Sequence, residues 1–141
     1  MLIALALAAV DPVPPTPPAE ASVQAAVQVV RDYYAAVSRH DYRAAYRLWH
    51  GSQSYAQFRR GYVQTARVAV TPIPPFDAEG AAGSIYAEIR VKVDATLRSG
   101  MRQHYSGSYT LRRVNDVEGS SAAQRRWHIE SAHLKPVIAG K

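Results

Sequence analysis

The 141-residue sequence contains no cysteine, which excludes disulfide bridges, a thiol nucleophile, cysteine-based metal centres and lipid attachment at a lipobox cysteine. Runs of like charge are also missing. The formal charge is +6 and the pI near 9.8, a balance that first suggests nucleic acid or an anionic surface. Yet 14 of the 17 basic residues are arginine, and they cluster only as the doublets Arg59–Arg60, Arg112–Arg113 and Arg125–Arg126. That is the pattern of a solvated arginine-rich surface, and no nucleic acid is expected. An RNA-reading sheet would interleave aromatic and basic side chains on one exposed face. The sequence has no glycine-rich phosphate loop and no G-x-S-x-G elbow. No apolar run reaches the roughly twenty residues of a membrane-spanning helix.

What is present begins with an apolar stretch, Leu2 to Val10, with small residues at Ala4, Ala6 and Ala8 and a proline-rich tract behind it. It resembles the apolar region and cleavage site of a secretory signal peptide, although the usual positive segment before it is missing. Residues 1–10 are therefore expected to be a signal peptide or an apolar tail, and residues 11–20 a stiff proline-rich linker. Export to the periplasm follows if the apolar segment is cleaved, and a cytoplasmic location if it is not. The remainder, residues 21–137, has the length and the apolar content of a single domain.

Within that domain the spacing of Val23, Val27, Val30, Tyr34 and Val37 predicts an amphipathic helix ending near Ser38. After the break "SRHD", Asp41 caps a second helix, "YRAAYRLWH", stopped by Gly51. Ser54 and Gln57 form a capping box that opens a third helix through Tyr55, Phe58 and Tyr62. Val68 and Val70 lead into "TPIPPFDAEGAAG", which its prolines and glycines mark as a strand end or loop with little regular structure. Strict alternation then places Ile85, Ala87, Ile89, Val91, Val93, Ala95 and Leu97 on one face of a long strand. A turn at Ser99–Gly100 joins it to a second, "RQHYSGSYTLRRV", with Tyr105, Gly107, Tyr109 and Leu111 inward. "NDVEGSSAAQ" reads as a polar loop. In the last strand Trp127 and Ile129 share a parity that Ala132 and Leu134 do not. A β-bulge near Glu130–Ser131 resolves the conflict; without one, His133 faces the core beside Tyr109.

Helices followed by long antiparallel strands define an α+β class, with three N-terminal helices packed in the concave face of a strongly curved sheet. The segments "VVRDYYAAVSRHDYRAAYRLW", "YAQFRRGYVQT", "YSGSYTLRRV" and "RWHIESAHL" resemble the nuclear transport factor 2-like (SnoaL-like, cystatin-like α+β) superfamily over about residues 22–136. The resemblance implies a cone whose apolar interior is often a ligand pocket, and members that include isomerases, dehydratases, cyclases and proteins that only bind or assemble. It does not choose among them.

Candidate chemistry is sparse. Catalytic relatives place an acid–base residue inside the cone, and the residues available for that role are His133 and Asp32, with Tyr109 or Tyr34 as hydrogen-bond donor. Asp32 lies off the apolar stripe, where an exposed helix surface is the simpler reading. The spacing "HIESAH" lacks the i, i+4 pattern of zinc hydrolases, so neither a metal nor another cofactor is expected. The aromatic side chains Tyr34, Tyr46, Trp49, Phe58, Tyr62, Tyr105, Tyr109 and Trp127 are candidates for the wall of a pocket, and equally for plain core. Tyr33, about 100° round the helix from Tyr34, faces either the sheet or solvent. These observations favour a non-catalytic domain of the cell envelope that binds a small apolar or aromatic molecule or a protein partner. An isomerase, dehydratase or cyclase is the alternative, and a dimerisation module using the outer face of "YAEIRVKVDAT" is a third reading.

Overall fold

The computed structural model describes residues 22–115 and 118–138; the expected signal peptide and proline-rich linker lie outside them. Helix α1 (Val23–Ser38) starts at Ser22, whose hydroxyl accepts from the Ala25 N–H, and buries Ala26, Val27, Val30, Tyr33, Tyr34, Ala36 and Val37. That face is wider than the single stripe the spacing predicts, because the sheet wraps round the helix. Residues 39–41 reverse the chain with His40 at φ 61°. There His40 N–H donates to the Val37 carbonyl and Asp41 N–H to that of Ala36, which satisfies the last carbonyls of the helix. Helix α2 (Tyr42–Arg47) is capped by Asp41, and helix α3 (Tyr55–Arg60) carries both halves of the Ser54–Gln57 capping box.

Four strands follow in the order β1 (Thr65–Ala81), β2 (Ser84–Leu97), β3 (Arg102–Val114) and β4 (His128–Pro136), each antiparallel to its neighbour. A short helix α4 (Ala122–Arg125) sits between β3 and β4. α1 packs chiefly on β1 and also touches β2 and β4. Ser38 fastens it there, its hydroxyl accepting from Val68 N–H at 2.9 Å and donating to the Val68 carbonyl at 2.6 Å. The inward face of β2 is buried as its alternation predicts, with Ile89 and Val91 fully inaccessible. The helices and curved antiparallel sheet give the expected α+β architecture.

The structure corrects three local expectations. The proline-rich stretch after Val70 is strand: β1 continues to Ala81, with Pro72 opposite Val91 and a register break between Ile73 and Asp77 around Pro74 and Pro75. An edge strand hydrogen-bonds on one side only, so a residue without an N–H is tolerated there. The second helix ends at Arg47, not His50, because the chain leaves it to pair with β4. Ile129 N–H donates to the Leu48 carbonyl at 2.7 Å and His50 N–H to the Ile129 carbonyl at 2.8 Å. The loop after β3 contains α4, opened by a capping box of Ser121 and Gln124 that has the same S-x-x-Q form as the one at α3.

The expected bulge is present. Thr110 lies opposite Ser131 and Leu111 opposite Ile129, so Glu130 is the extra residue. It resets the phase of β4, turning Ala132 and Leu134 toward the core and leaving His133 exposed. Close to the bulge, the backbone of β4 approaches β3 so tightly that a Cβ on Gly107 would stand 1.8 Å from the His133 carbonyl oxygen and 2.9 Å from Leu134 Cα. Only glycine fits, and the obstacle is backbone, which cannot rotate aside.

Gly107→Ala is therefore expected to cost about 3 kcal/mol or more, at the upper end of overpacking. Gly80→Ala, where a Cβ would meet nothing within 4 Å, is expected to stay within about 0.5 kcal/mol. Urea unfolding of both variants checks the contrast.

Candidate functional site

The cone holds a cavity of about 580 Å³, within the roughly 300–1,000 Å³ that accommodates one small molecule. Its walls come from every layer of the fold. α1 supplies Tyr33 and Tyr34, the segment after α2 supplies Trp49 and Gln53, and α3 with its following turn supplies Phe58, Gly61, Tyr62 and Gln64. The sheet adds Val93, Ala95 and Leu97 from β2, Gln103 and Tyr105 from β3, and Leu134 from β4. Leu134 reaches the cavity because the Glu130 bulge resets the parity of its strand.

Tyr33 is the hub of the rings. Its centroid lies 4.9 Å from that of Tyr34 and 6.1 to 6.3 Å from those of Trp49, Phe58, Tyr62 and Tyr109, mostly edge to face. Such contacts add about 0.5–1.5 kcal/mol each beyond area burial. The hydroxyls are satisfied by one another: Tyr33 bonds to Tyr62, and Tyr34 to Tyr109. Burial pushes all four phenols above their ordinary value of 10.0. For Tyr33 the adjacent Tyr62 and Tyr109 reinforce the effect, while the Trp49 indole works against it. Near the mouth the Tyr105 hydroxyl donates to Gln103 Oε1 at 2.9 Å, which leaves the Gln103 amide N–H groups for other partners.

The polar part of the wall is thus hydroxyls and amides. Among the described lining residues the titratable side chains are tyrosines, neutral at ordinary pH and able to donate or accept hydrogen bonds. The arrangement can polarise a carbonyl or hold a hydroxyl. It offers no counter-charge to an ionised group, whose desolvation would go uncompensated.

The structure brings together five of the eight expected wall residues: Tyr34, Trp49, Phe58, Tyr62 and Tyr105. Tyr109 is 2% exposed and stands behind Tyr34, outside the lining. Tyr46 packs against Tyr55 and Phe58 and donates to the Gln53 carbonyl at 2.6 Å. Trp127 is buried at the far side, in the core near Ala25, Val29 and Leu48. His133 faces outward opposite Ser108, and Asp32 is exposed and accepts from Gln28 at 2.8 Å, so neither reaches the cavity. Sequence reasoning missed Gln53, Gln64, Thr65 and Gln103 and left Tyr33 open. Gln103 carried a usable signal, since it shares the inward parity of Tyr105.

No family model matches the sequence, and no curated protein matches it. Solved structures do. A nuclear transport factor 2-like superfamily protein from Salmonella enterica serovar Typhimurium superimposes with TM-score 0.57 at 14% identity, over 84% of this chain and 93% of its own. A candidate scytalone dehydratase from Novosphingobium aromaticivorans gives TM-score 0.58 at 8% identity, over 82% and 83%. A candidate dehydratase from Streptomyces avermitilis gives TM-score 0.53 at 14% identity, over 83% and 97%. At these identities the likeness is one of fold, and the fold is nuclear transport factor 2-like.

Two outcomes follow from the paired hydroxyls. Tyr109→Phe strands the buried Tyr34 hydroxyl and is expected to cost about 1–3 kcal/mol; adding Tyr34→Phe should cost less than the sum of the single changes, as a thermal double-mutant cycle would reveal. Because the folded values are raised, the unfolded chain loses its phenolic protons first. Stability from these groups is complete below about pH 10 and is lost as pH rises from there toward the folded values. Denaturant titrations across alkaline pH check this.

Proposed function

We propose, from the premise of a nuclear transport factor 2-like fold with an open cone, that the domain binds a small, uncharged molecule with an apolar or aromatic body and a few hydrogen-bonding groups. The observation that carries this reading is the composition of the cavity wall: aromatic rings behind, amides and a hydroxyl from Gln53, Gln64, Thr65 and Gln103 toward the opening. Apolar contact supplies the binding energy, and the sparse polar groups select orientation. The reading is of a binding protein, because the titratable groups in the wall are phenols, and burial raises those of Tyr33, Tyr34 and Tyr62 further above their ordinary value. Such groups donate a hydrogen bond but do not take a proton from a substrate. The apolar Leu2–Val10 stretch supports a place for it in the cell envelope.

A second reading is a lyase or isomerase. It draws on the two structural neighbours assigned as candidate dehydratases and on the tyrosine hydroxyl pairs, which suit a developing oxyanion. It requires a base, and the sequence candidates His133 and Asp32 both lie outside the cavity.

Native and denaturing mass spectra of the protein recovered from its own cells test the first reading. The expected result is an additional native mass, released on denaturation, from a neutral compound; Tyr105→Ala and Gln64→Glu should each deplete it. A bare native protein that also fails to take up neutral aromatic probes would reject it. A compound recovered in chemically altered form would support the enzyme instead.

A further inference from the structure

The open end of the cone has a surface that the cavity does not explain. The chain ends and turns that frame it are held together by backbone bonds: Arg98 N–H to the Gln64 carbonyl at 2.8 Å, Leu97 N–H to that of Met101 at 2.8 Å, and Val137 N–H to that of His104 at 2.7 Å. Apolar side chains project from these segments into solvent. Val63 is 41% exposed, Met101 61%, Val137 48% and Ile138 87%. The remaining large apolar side chain exposed among the described residues is Tyr86, near the opposite end of the sheet. Four aliphatic side chains at one opening form a patch; scattered singly they would need no account.

Cations surround the patch. Arg59 and Arg60 end α3 just before it, Arg98 lies in the β2–β3 turn, and Arg67 and Arg102 flank Thr96 in one row across the outer face of the sheet. All are exposed, and among the described residues none makes an ion pair. Two rows further on, Lys92 and Lys135 flank Ser106. The carboxylate in these rows, Asp94, is taken by His104 at 2.5 Å. At the other end of the sheet carboxylates and cations are mixed: Asp77 lies opposite Glu88 and Glu79 opposite Tyr86, with Arg90 and Arg112 in the neighbouring rows and Arg112 paired to Glu130.

We infer that the mouth of the cone docks on an anionic lipid surface, with Met101, Ile138, Val63 and Val137 entering the acyl boundary and the arginines resting among the headgroups. Aliphatic tips ringed by unpaired arginine match an interface that is apolar within and anionic at its face. They do not match a single strand of nucleic acid, which would call for exposed aromatic side chains to stack on bases, and a duplex, bound through its phosphates, would leave the aliphatic tips without a partner. Docking requires no occupant in the cavity, so it stands or falls separately from the ligand proposed above.

The test is co-sedimentation of the full chain with vesicles of phosphatidylcholine alone and of equal parts phosphatidylcholine and phosphatidylglycerol. The expected result is binding to the anionic vesicles that molar salt releases. Arg98→Ser with Arg102→Ser should weaken it about thirtyfold. Met101→Asp should weaken it without changing the salt dependence. All these positions are exposed, and circular dichroism confirms that the variants fold. Equal binding to neutral vesicles that the arginine changes leave intact would overturn the inference and locate the attachment in Leu2–Val10. Retention on polyglutamate without binding to vesicles would overturn it in favour of an acidic polypeptide. No binding to either vesicle overturns it outright.

Discussion

Four of the phenolic hydroxyls in the interior of this domain find their hydrogen-bond partners in one another. Tyr33 and Tyr34 are neighbours on α1, yet one bonds to Tyr62 beyond α3 and the other to Tyr109 in the middle of β3. The two bonds diverge by about the angle between successive helical residues, so together they fix the rotation of α1 within the curl of the sheet. Any other rotation would strand buried hydroxyls, each at about 1–3 kcal/mol. With Tyr109 behind them, three of these rings, Tyr33, Tyr34 and Tyr62, are also part of the cavity wall. Its shape is therefore set by the same bonds that hold helix, turn and sheet in register.

The balance between inside and outside follows from that arrangement. Asp32 and His133 are exposed, the buried charge of Arg113 lies outside the cavity lining and donates to the Arg125 carbonyl, and the cavity wall itself carries polarity only as neutral groups. A guest of the cavity would thus be selected by shape and by where it can give or take a hydrogen bond. Five of the arginines, Arg59, Arg60, Arg67, Arg98 and Arg102, stand exposed toward the rim, where water still screens them and where a large anionic surface could meet several at once.

Much of the fold is legible in the residue pattern because the determinants are local. Asp41, Ser54 and Gln57 cap helices by bonds to atoms a few residues away, and the alternation of Ile85 to Leu97 states directly which face of β2 is covered. Even the bulge is readable, since Trp127 and Ile129 conflict in parity with Ala132 and Leu134. What escapes is set by tertiary context. The prolines of β1 read as a loop until it is known that β1 pairs on one side only. Tyr33 looks ambiguous because the width of the buried face depends on how far the sheet wraps. The arginines around the mouth come from α3, β1 and the β2–β3 turn, so no linear window brings them together, and the cavity amides are separated in the same way.

The two margins of the sheet are unlike each other. The margin at β4 is partly occupied by Leu48 to His50, which pair with Ile129. The margin at β1 is bare of any neighbouring strand, but Pro72, Pro74 and Pro75 interrupt it where the register breaks. A strand from another molecule seeking to extend the sheet would find the run of free donors shortened on both sides. Where many copies are held close together, in a confined compartment or on a surface, each margin therefore offers only a shortened template for growth of the sheet from molecule to molecule.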